Sequence, residues 1–268
     1  MSLTETSWEH DEDHNESADQ RSVLSRASKI LDAFSASDSY LPLAEIARRA
    51  CLPKTTTHRL TAEMAEIGML ERGRYGFRVG LRMFELGHLA PRARSLRERA
   101  RPWLESLHGS TTMTVNLAVR DGLDVVYIDI LNPLRWTPLP SRVGARLPAH
   151  SSGIGKVILA YSDEDVAEAV LTRGLQQFTE NTIRSDGRLE KELVATRSEG
   201  VAYDNQETVR GVVCLAAPIL AADGSLLAAI SVTTASTSRR AFSTVEHLVR
   251  DTAESMSAIQ LTSVRAKR

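Results

Sequence analysis

The chain has 268 residues, 42% hydrophobic and 25% charged, with a formal net charge of −1. That length exceeds what one small domain needs, and the composition supports real cores, so two globular domains are expected and a disordered or fibrous chain is excluded. No apolar run is long enough to span a membrane, and the N-terminus lacks the basic-then-apolar pattern of a signal peptide. Cys51 and Cys214 are too few and too far apart for a disulfide framework, so a cytoplasmic protein with no membrane partner is expected.

The near-zero net charge conceals a division along the chain. Residues 1–20 hold seven acids and no Lys or Arg, are aperiodic, and read as a disordered acidic tail. Residues 21–101 hold sixteen Lys+Arg against eight Asp+Glu, a net of +8. A basic segment of domain size points to a polyanion-binding module, with a solvated basic face as the plainer alternative. The tail is either silent or a competitor for that basic segment.

From Val23, the apolar residues Val23, Leu24, Ala27, Ile30, Leu31 and Phe34 recur at helical spacing. Ser35 to Tyr40 is a polar turn, and Leu43, Ile46, Ala47 and Ala50 mark a second short helix. Cys51-Leu52-Pro53 ends it, because proline disfavours helical backbone in the residue before it. Pro53 then opens a third helix, with Leu60, Met64 and Ile67 as its inward stripe and Gly68 as its cap. "MLERGRYGFRVG" reads as two short strands around a basic turn, Arg72-Gly73-Arg74.

Helix, helix, turn, helix, hairpin is the order of a winged helix-turn-helix over residues 21–80. The third helix starts with Lys54, Thr55, Thr56, Thr57, His58 and Arg59 in a row, with no acid among them. Such residues suit phosphates and base edges in the major groove of double-stranded DNA: hydroxyls and Lys54 for phosphates, Arg59 for guanine, threonine methyls for thymine. Arg26 on the first helix, and Arg72, Arg74 and Tyr75 on the wing, complete the expected DNA-binding set. The plainer reading is a threonine-rich cap on an ordinary helix.

Residues 81–101 are an Arg-rich helical stretch with Pro91 as a kink or break, read as a linker helix. Its Leu81, Phe84, Leu86, Leu89 and Leu96 form a seam that packs within the chain, against another copy, or both. Residues 102–268 alternate and turn as an α+β domain on an antiparallel sheet, with Asp121-Gly122 and Asp223-Gly224 as hairpin signals. "SSGIGKVILAYS" reads as a Gly turn opening a helix. Two helices occupy residues 163–200, and Val245, Leu248, Val249, Ala253, Met256 and Ile259 mark a closing amphipathic helix.

Sharper readings of this half are mostly discarded. "GIGK" lacks the upstream glycine and the following Ser/Thr of a phosphate loop. Cys214, set in "VVCLAAP", fits a buried small residue rather than a reactive thiol. His150 fits a pocket or a loop cap equally. The scattered histidines give no metal site, and no cofactor is expected. Trp136 with Arg135 fits either the rim of a pocket for an aromatic acid or a subunit interface; Trp136 is counted with the pocket.

The segments "LSRASKILDAF", "LAEIARRACLPKTTTHRL", "RYGFRVG", "VGARLPAHSSGIGKVILA", "EGVAYDNQETVRGVVCLAAPIL" and "LAAISVTT" together resemble the IclR family of bacterial transcriptional regulators, over nearly everything from Ser22 onward. The resemblance implies a winged helix joined by a linker helix to a GAF-like effector and oligomerisation domain. It implies a homodimer or homotetramer on a pseudo-palindromic operator, modulated by a small organic or aromatic acid. It places the effector pocket at Leu147, Gly153, Ile154, Asp204, Cys214, Ser231 and Thr233. Val201 replaces the family's usual aromatic, Thr233 stands where Ser is common, and the wing is short.

The expectation is therefore a ligand-responsive regulator that is not an enzyme, most simply a repressor of a catabolic operon. The alternatives are a small-molecule carrier or enzyme domain with a vestigial DNA-binding head, and an architectural DNA binder of low specificity.

Overall fold

The computed structural model describes residues 22–35, 38–133, 142–235 and 239–258. The acidic tail, Arg135, Trp136 and Ile259 lie outside these residues. The chain divides into two compact units, residues 1–90 and 91–268.

In the first unit, α1 (Val23–Asp32), α2 (Leu43–Arg49) and α3 (Lys54–Glu66) precede a hairpin of β1 (Leu70–Gly73) and β2 (Gly76–Val79). Ser22 caps α1, its hydroxyl oxygen accepting the Ser25 N–H at 2.9 Å. Ile30, Ile46, Leu60, Met64, Leu70 and Phe77 close one core among the three helices and the hairpin. Leu41 pairs with Phe77 in both directions, so the segment before α2 is tied to the wing.

Both helices around the turn end in the same motif. After α2, the Leu52 N–H reaches the Ala47 carbonyl at 3.0 Å and the Cys51 N–H reaches that of Arg48 at 3.3 Å. After α3, Met69 N–H bonds Met64 at 2.9 Å and Gly68 N–H bonds Ala65 at 3.1 Å. These are Schellman pairs, which require a left-handed residue between cap and exit. Gly68 fills that place at φ 77°, but Cys51 fills the other at φ 53°. The helix break thus comes one residue earlier than the proline argument placed it.

Three further expectations for this unit are corrected. Ile67, assigned to the inward stripe, is 54% exposed because α3 has ended and the chain is turning. The wing turn is Arg74-Tyr75, with Arg72 and Gly73 on β1. The stretch 81–101 is two helices: α4 (Leu81–His88) in the first unit and α5 (Pro91–Thr111), opened by Pro91, in the second. The seam divides accordingly. Leu81, Phe84, Leu86 and Leu89 are exposed, whereas Leu96 is buried in the second unit's core.

The second unit is built on an antiparallel sheet of order β5-β4-β3-β8-β7-β6. Its strands are β3 (Thr114–Asp121), β4 (Asp124–Leu131), β5 (Arg146–Pro148), β6 (Ala202–Asn205), β7 (Val212–Leu220) and β8 (Leu226–Ala235). Gly122 at φ 60° and Gly224 at φ 81° make the two hairpin turns anticipated at Asp-Gly. Helices α6 (Gly153–Ala160), α7 (Glu164–Arg173), α8 (Asp186–Glu199) and α9 (Glu246–Ala258) complete the unit.

Strand alternation divides the sheet into two faces of different chemistry. Val115, Leu117, Val213, Leu215, Ile230 and Val232 point to α5 and α9, whose Leu104, Leu107, Val249 and Met256 complete an apolar core. The opposite face carries small residues, Ala118, Ala202, Ala216 and Ala229, which let α6 approach with Ile154, Val157 and Ile158. Every residue of α6 is buried. Asn116, Asp204, Cys214, Ser231 and Thr233 alternate in step with those alanines, so their side chains share that face.

Candidate functional site

The leading end of α3 carries no acidic residue in its first turn, so its positive dipole end is undiminished. Lys54, Thr55, His58 and Arg59 are exposed there, and Thr56 is half-buried. The Arg59 guanidinium donates to the Glu63 carboxylate one turn on, at 2.6 Å. Thr57 departs from the expected set. It is 0% exposed, and its hydroxyl donates to the Pro53 carbonyl at 3.0 Å, because a 3.6-residue period turns it towards Leu60 and Thr61. Thr57 is a packing residue and cannot reach an outside ligand.

Arg26 is half-buried, with its Nε donating to the Ser22 carbonyl at 3.2 Å. On the wing, Arg72, Arg74 and Tyr75 are exposed. The Arg72 and Arg74 guanidinium groups lie over the Phe77 and Tyr75 rings, 5.6 and 5.7 Å from their centroids. Gly76, at φ 134°, faces the Leu41 backbone carbonyl, which a Cβ there would strike, so the wing turns against the segment before α2 only with glycine at that place. The first unit therefore offers a helix end and a wing tip rich in cationic and hydroxyl groups.

On the α6 face of the sheet, the described residues line a small cavity that is half open to the outside. It is lined by Asn116 of β3, Tyr127 of β4, Leu147 of β5, Asp204 of β6, Cys214 of β7 and Thr233 of β8, together with Ser152, Thr208, Val209 and Val212. Its volume is about 30 Å³, room for one or two water molecules. Of the expected pocket residues, Leu147, Asp204, Cys214 and Thr233 line it.

Gly153, Ile154 and Ser231 do not line it. A Cβ on Gly153 would lie 3.2 Å from the Asp204 nitrogen and 3.4 Å from Cys214 Sγ, so glycine here lets the first turn of α6 seat on β6 and β7. Ile154 is fully buried in the core between α6 and the sheet. Ser231 stands behind Asn116 and accepts from its amide at 3.1 Å. Trp136 lies outside the described residues. Ser152 caps α6, accepting the Gly155 N–H at 3.1 Å.

Burial governs the electrostatics of this cavity. Desolvation, with the Glu207 charge second, pushes the Asp204 carboxyl up to about 7, although it accepts the Glu207 N–H at 2.6 Å. Desolvation, with the Asp204 charge second, pushes the Cys214 thiol up to about 11, so it remains protonated and is no nucleophile. Tyr127 is likewise held neutral by burial.

Sequence reasoning did not find Asn116, Tyr127 or the charges beneath the cavity. Lys156 is fully buried, with Nζ 3.0 Å from Glu192 Oε1 and 2.8 Å from Glu207 Oε1, so the lysine of "GIGK" holds α6 to α8 and to the loop after β6. His150 is also structural: it is 1% exposed, with Nε2 2.9 Å from the Gln176 carbonyl oxygen, and does not line the cavity. Asn116 was detectable in principle, because an amide in mid-strand between Val115 and Leu117 has no propensity reason to be there.

The chain matches two family models, the IclR helix-turn-helix domain over residues 23–74 and the C-terminal domain of the bacterial transcriptional regulator IclR over residues 89–258. It is 34% identical over 217 residues to the HTH-type transcriptional regulator XynR of Escherichia coli K12, covering 79% of this chain and 85% of that protein. Against the transcriptional repressor IclR of the same strain it is 34% identical over 214 residues, 78% of each chain. Among solved structures it is similar to an IclR homologue of Microbacterium hydrocarbonoxydans complexed with 4-hydroxybenzoate, with 28% identity and a TM-score of 0.77 over 88% of this chain and 98% of that one. The Thermotoga maritima IclR gives 26% identity and a TM-score of 0.70 over 89% and 98%. These relatives are transcriptional regulators, as a basic helix-turn-helix head on an α+β cavity-bearing domain would lead one to expect, and the chain belongs to the IclR family of bacterial transcriptional regulators.

Proposed function

We propose that this regulator is a repressor of a catabolic operon that binds a pseudo-palindromic operator as a dimer or tetramer and is modulated by a small organic or aromatic acid. The observation that carries the DNA contact is the exposed cluster Lys54, Thr55, His58 and Arg59 at the acid-free start of α3. Thr56 at the helix margin, Arg26, and the wing residues Arg72, Arg74 and Tyr75 complete the contact set. Repression is supported by relatives named as repressors, IclR and the acetate operon repressor of Salmonella typhimurium, to which the chain is 33% identical over 214 residues.

The cavity bounded by Leu147, Asp204, Cys214 and Thr233 is the effector site in this reading. Gly153, Ile154 and Ser231 support its walls. The exposed Leu81, Phe84, Leu86 and Leu89 of α4 suit association with a second copy. The described residues leave only about 30 Å³ there, less than an organic acid fills, so in this reading the walls part to admit one. An effector therefore selects an opened state, and it regulates DNA binding only by favouring one DNA-binding state over another.

The test is binding of the full chain to the intergenic DNA beside its own gene, against scrambled DNA at physiological salt, with and without aromatic and keto acids. Selective binding, shifted by one acid and lost in Arg59→Ala, is the expected outcome. Equal affinity for both DNAs would refute the operator reading, and selective binding that no acid shifts would refute the effector reading.

A further inference from the structure

Asn116 is the polar group in the second unit whose bonding is incomplete in an informative way. It lies in the middle of β3, opposite Ser231 of β8, and is 2% exposed. Its amide Nδ2 donates at 3.1 Å to the Ser231 hydroxyl and at 3.1 Å to the Thr233 hydroxyl, so both of its N–H groups are used. With both N–H groups spent on those two hydroxyls, Oδ1 is the end of the amide left over.

The other end, Oδ1, has no hydrogen-bond partner in the structure. Asn116 lines the cavity. A buried carbonyl oxygen left without a donor is unfavourable. A ligand that fills the cavity displaces whatever water serves this oxygen, and it regains that energy only by bringing its own donor. None of the other lining side chains bonds to Oδ1: Leu147, Val209 and Val212 are apolar, and the hydroxyls of Tyr127, Ser152, Thr208 and Thr233 and the Cys214 thiol do not donate to it. No Lys or Arg lines the cavity among the described residues.

We propose that Asn116 is a specificity-determining residue that reads a hydrogen-bond donor on the effector, so that the acid this protein senses carries a hydroxyl group. The inference rests on the cavity being the effector site and adds the ligand class that site selects. Selection works by penalty: an acid of the same shape without the hydroxyl leaves Oδ1 stripped of water and unbonded.

Calorimetric titration of the full chain with matched acids tests this. The probes are 2-, 3- and 4-hydroxybenzoate against the corresponding fluorobenzoates, and lactate against propionate. In the wild type at least one hydroxy acid is expected to bind about tenfold or more tighter than its counterpart. Asn116→Leu, of similar volume, is expected to bring that ratio near one, chiefly by weakening the hydroxy acid. Asn116→Ala serves if the leucine variant does not fold, with the same expectation.

Equal binding of both members of every pair by the wild type would overturn the proposal. So would a hydroxyl preference that survives in a folded Asn116 variant. If no acid binds the wild type at all, the effector reading beneath the proposal fails, and the proposal falls with it. That result is recognisable because both members of each pair are then silent.

Discussion

Asp204 illustrates how one buried carboxyl ties stability to pH. Its pKa is raised to about 7 from an ordinary 3.8 by burial and by Glu207, with Lys156 pulling the other way. Between those values the native state holds a proton that the unfolded chain has released, so stability falls as pH rises from about 4 to about 7 and is level above. Asp204→Asn is expected to flatten this slope and to gain roughly 2–4 kcal/mol over the wild type at pH 8. Urea unfolding of both proteins at pH 5 and pH 8 measures it; an unchanged slope would place the carboxyl in water. Lys156 makes the opposite case. Lys156→Met leaves Glu207, and the half-exposed Glu192, without their cation, and a loss of about 3–5 kcal/mol is expected. Adding Glu207→Leu should recover much of it, which a thermal melt of the double variant would show.

At the scale of elements, α2 and α3 were legible because each segment is written in local terms: an apolar stripe, a proline start, a glycine stop. Thr57 was misjudged within a correctly placed helix, since its hydroxyl counted as a contact group while the helical period had already turned it inward. The cavity was less legible. Tyr127, Asn116, Cys214 and Asp204 are distant in sequence, and only the strand order β4-β3-β8-β7-β6 sets them side by side. Where this sequence alternates, the apolar face announces itself as a core, but nothing in the alternation says which polar residues on the other face meet. Cys51 offers a test of the local reading. A cysteine at φ 53° bears strain that glycine does not, so Cys51→Gly is expected to stabilise the first unit by about 0.5–1 kcal/mol. A lower melting temperature would mean that the left-handed turn is held by something other than backbone preference.

For the whole molecule, the charge division seen in the sequence bears on how DNA binding responds to salt. Lys54, Arg59, Arg72 and Arg74 stand exposed on one unit, and each that meets a phosphate adds about −0.9 to the slope of log K against log salt. Arg72→Ala with Arg74→Ala is expected to make the slope shallower by roughly 2 per bound copy, with little change in the preference between operator and scrambled DNA. Arg59→Ala should reduce that preference as well. If the wing variant lost selectivity while keeping its salt slope, the wing would be reading bases.

The sheet of the second unit tapers from the inside out. Its inner strands run 8 to 10 residues, while the edges β5 and β6 have only three and four. The β5 edge carries Arg146, paired with Asp121, and Pro148, which has no N–H to lend. An unfinished ladder is an invitation for a stranger's backbone, and here the invitation is withdrawn at both described edges. In the proposed reading, a regulator whose cavity opens between a helix and this sheet loosens its walls without baring a long strand edge on which fibres could grow.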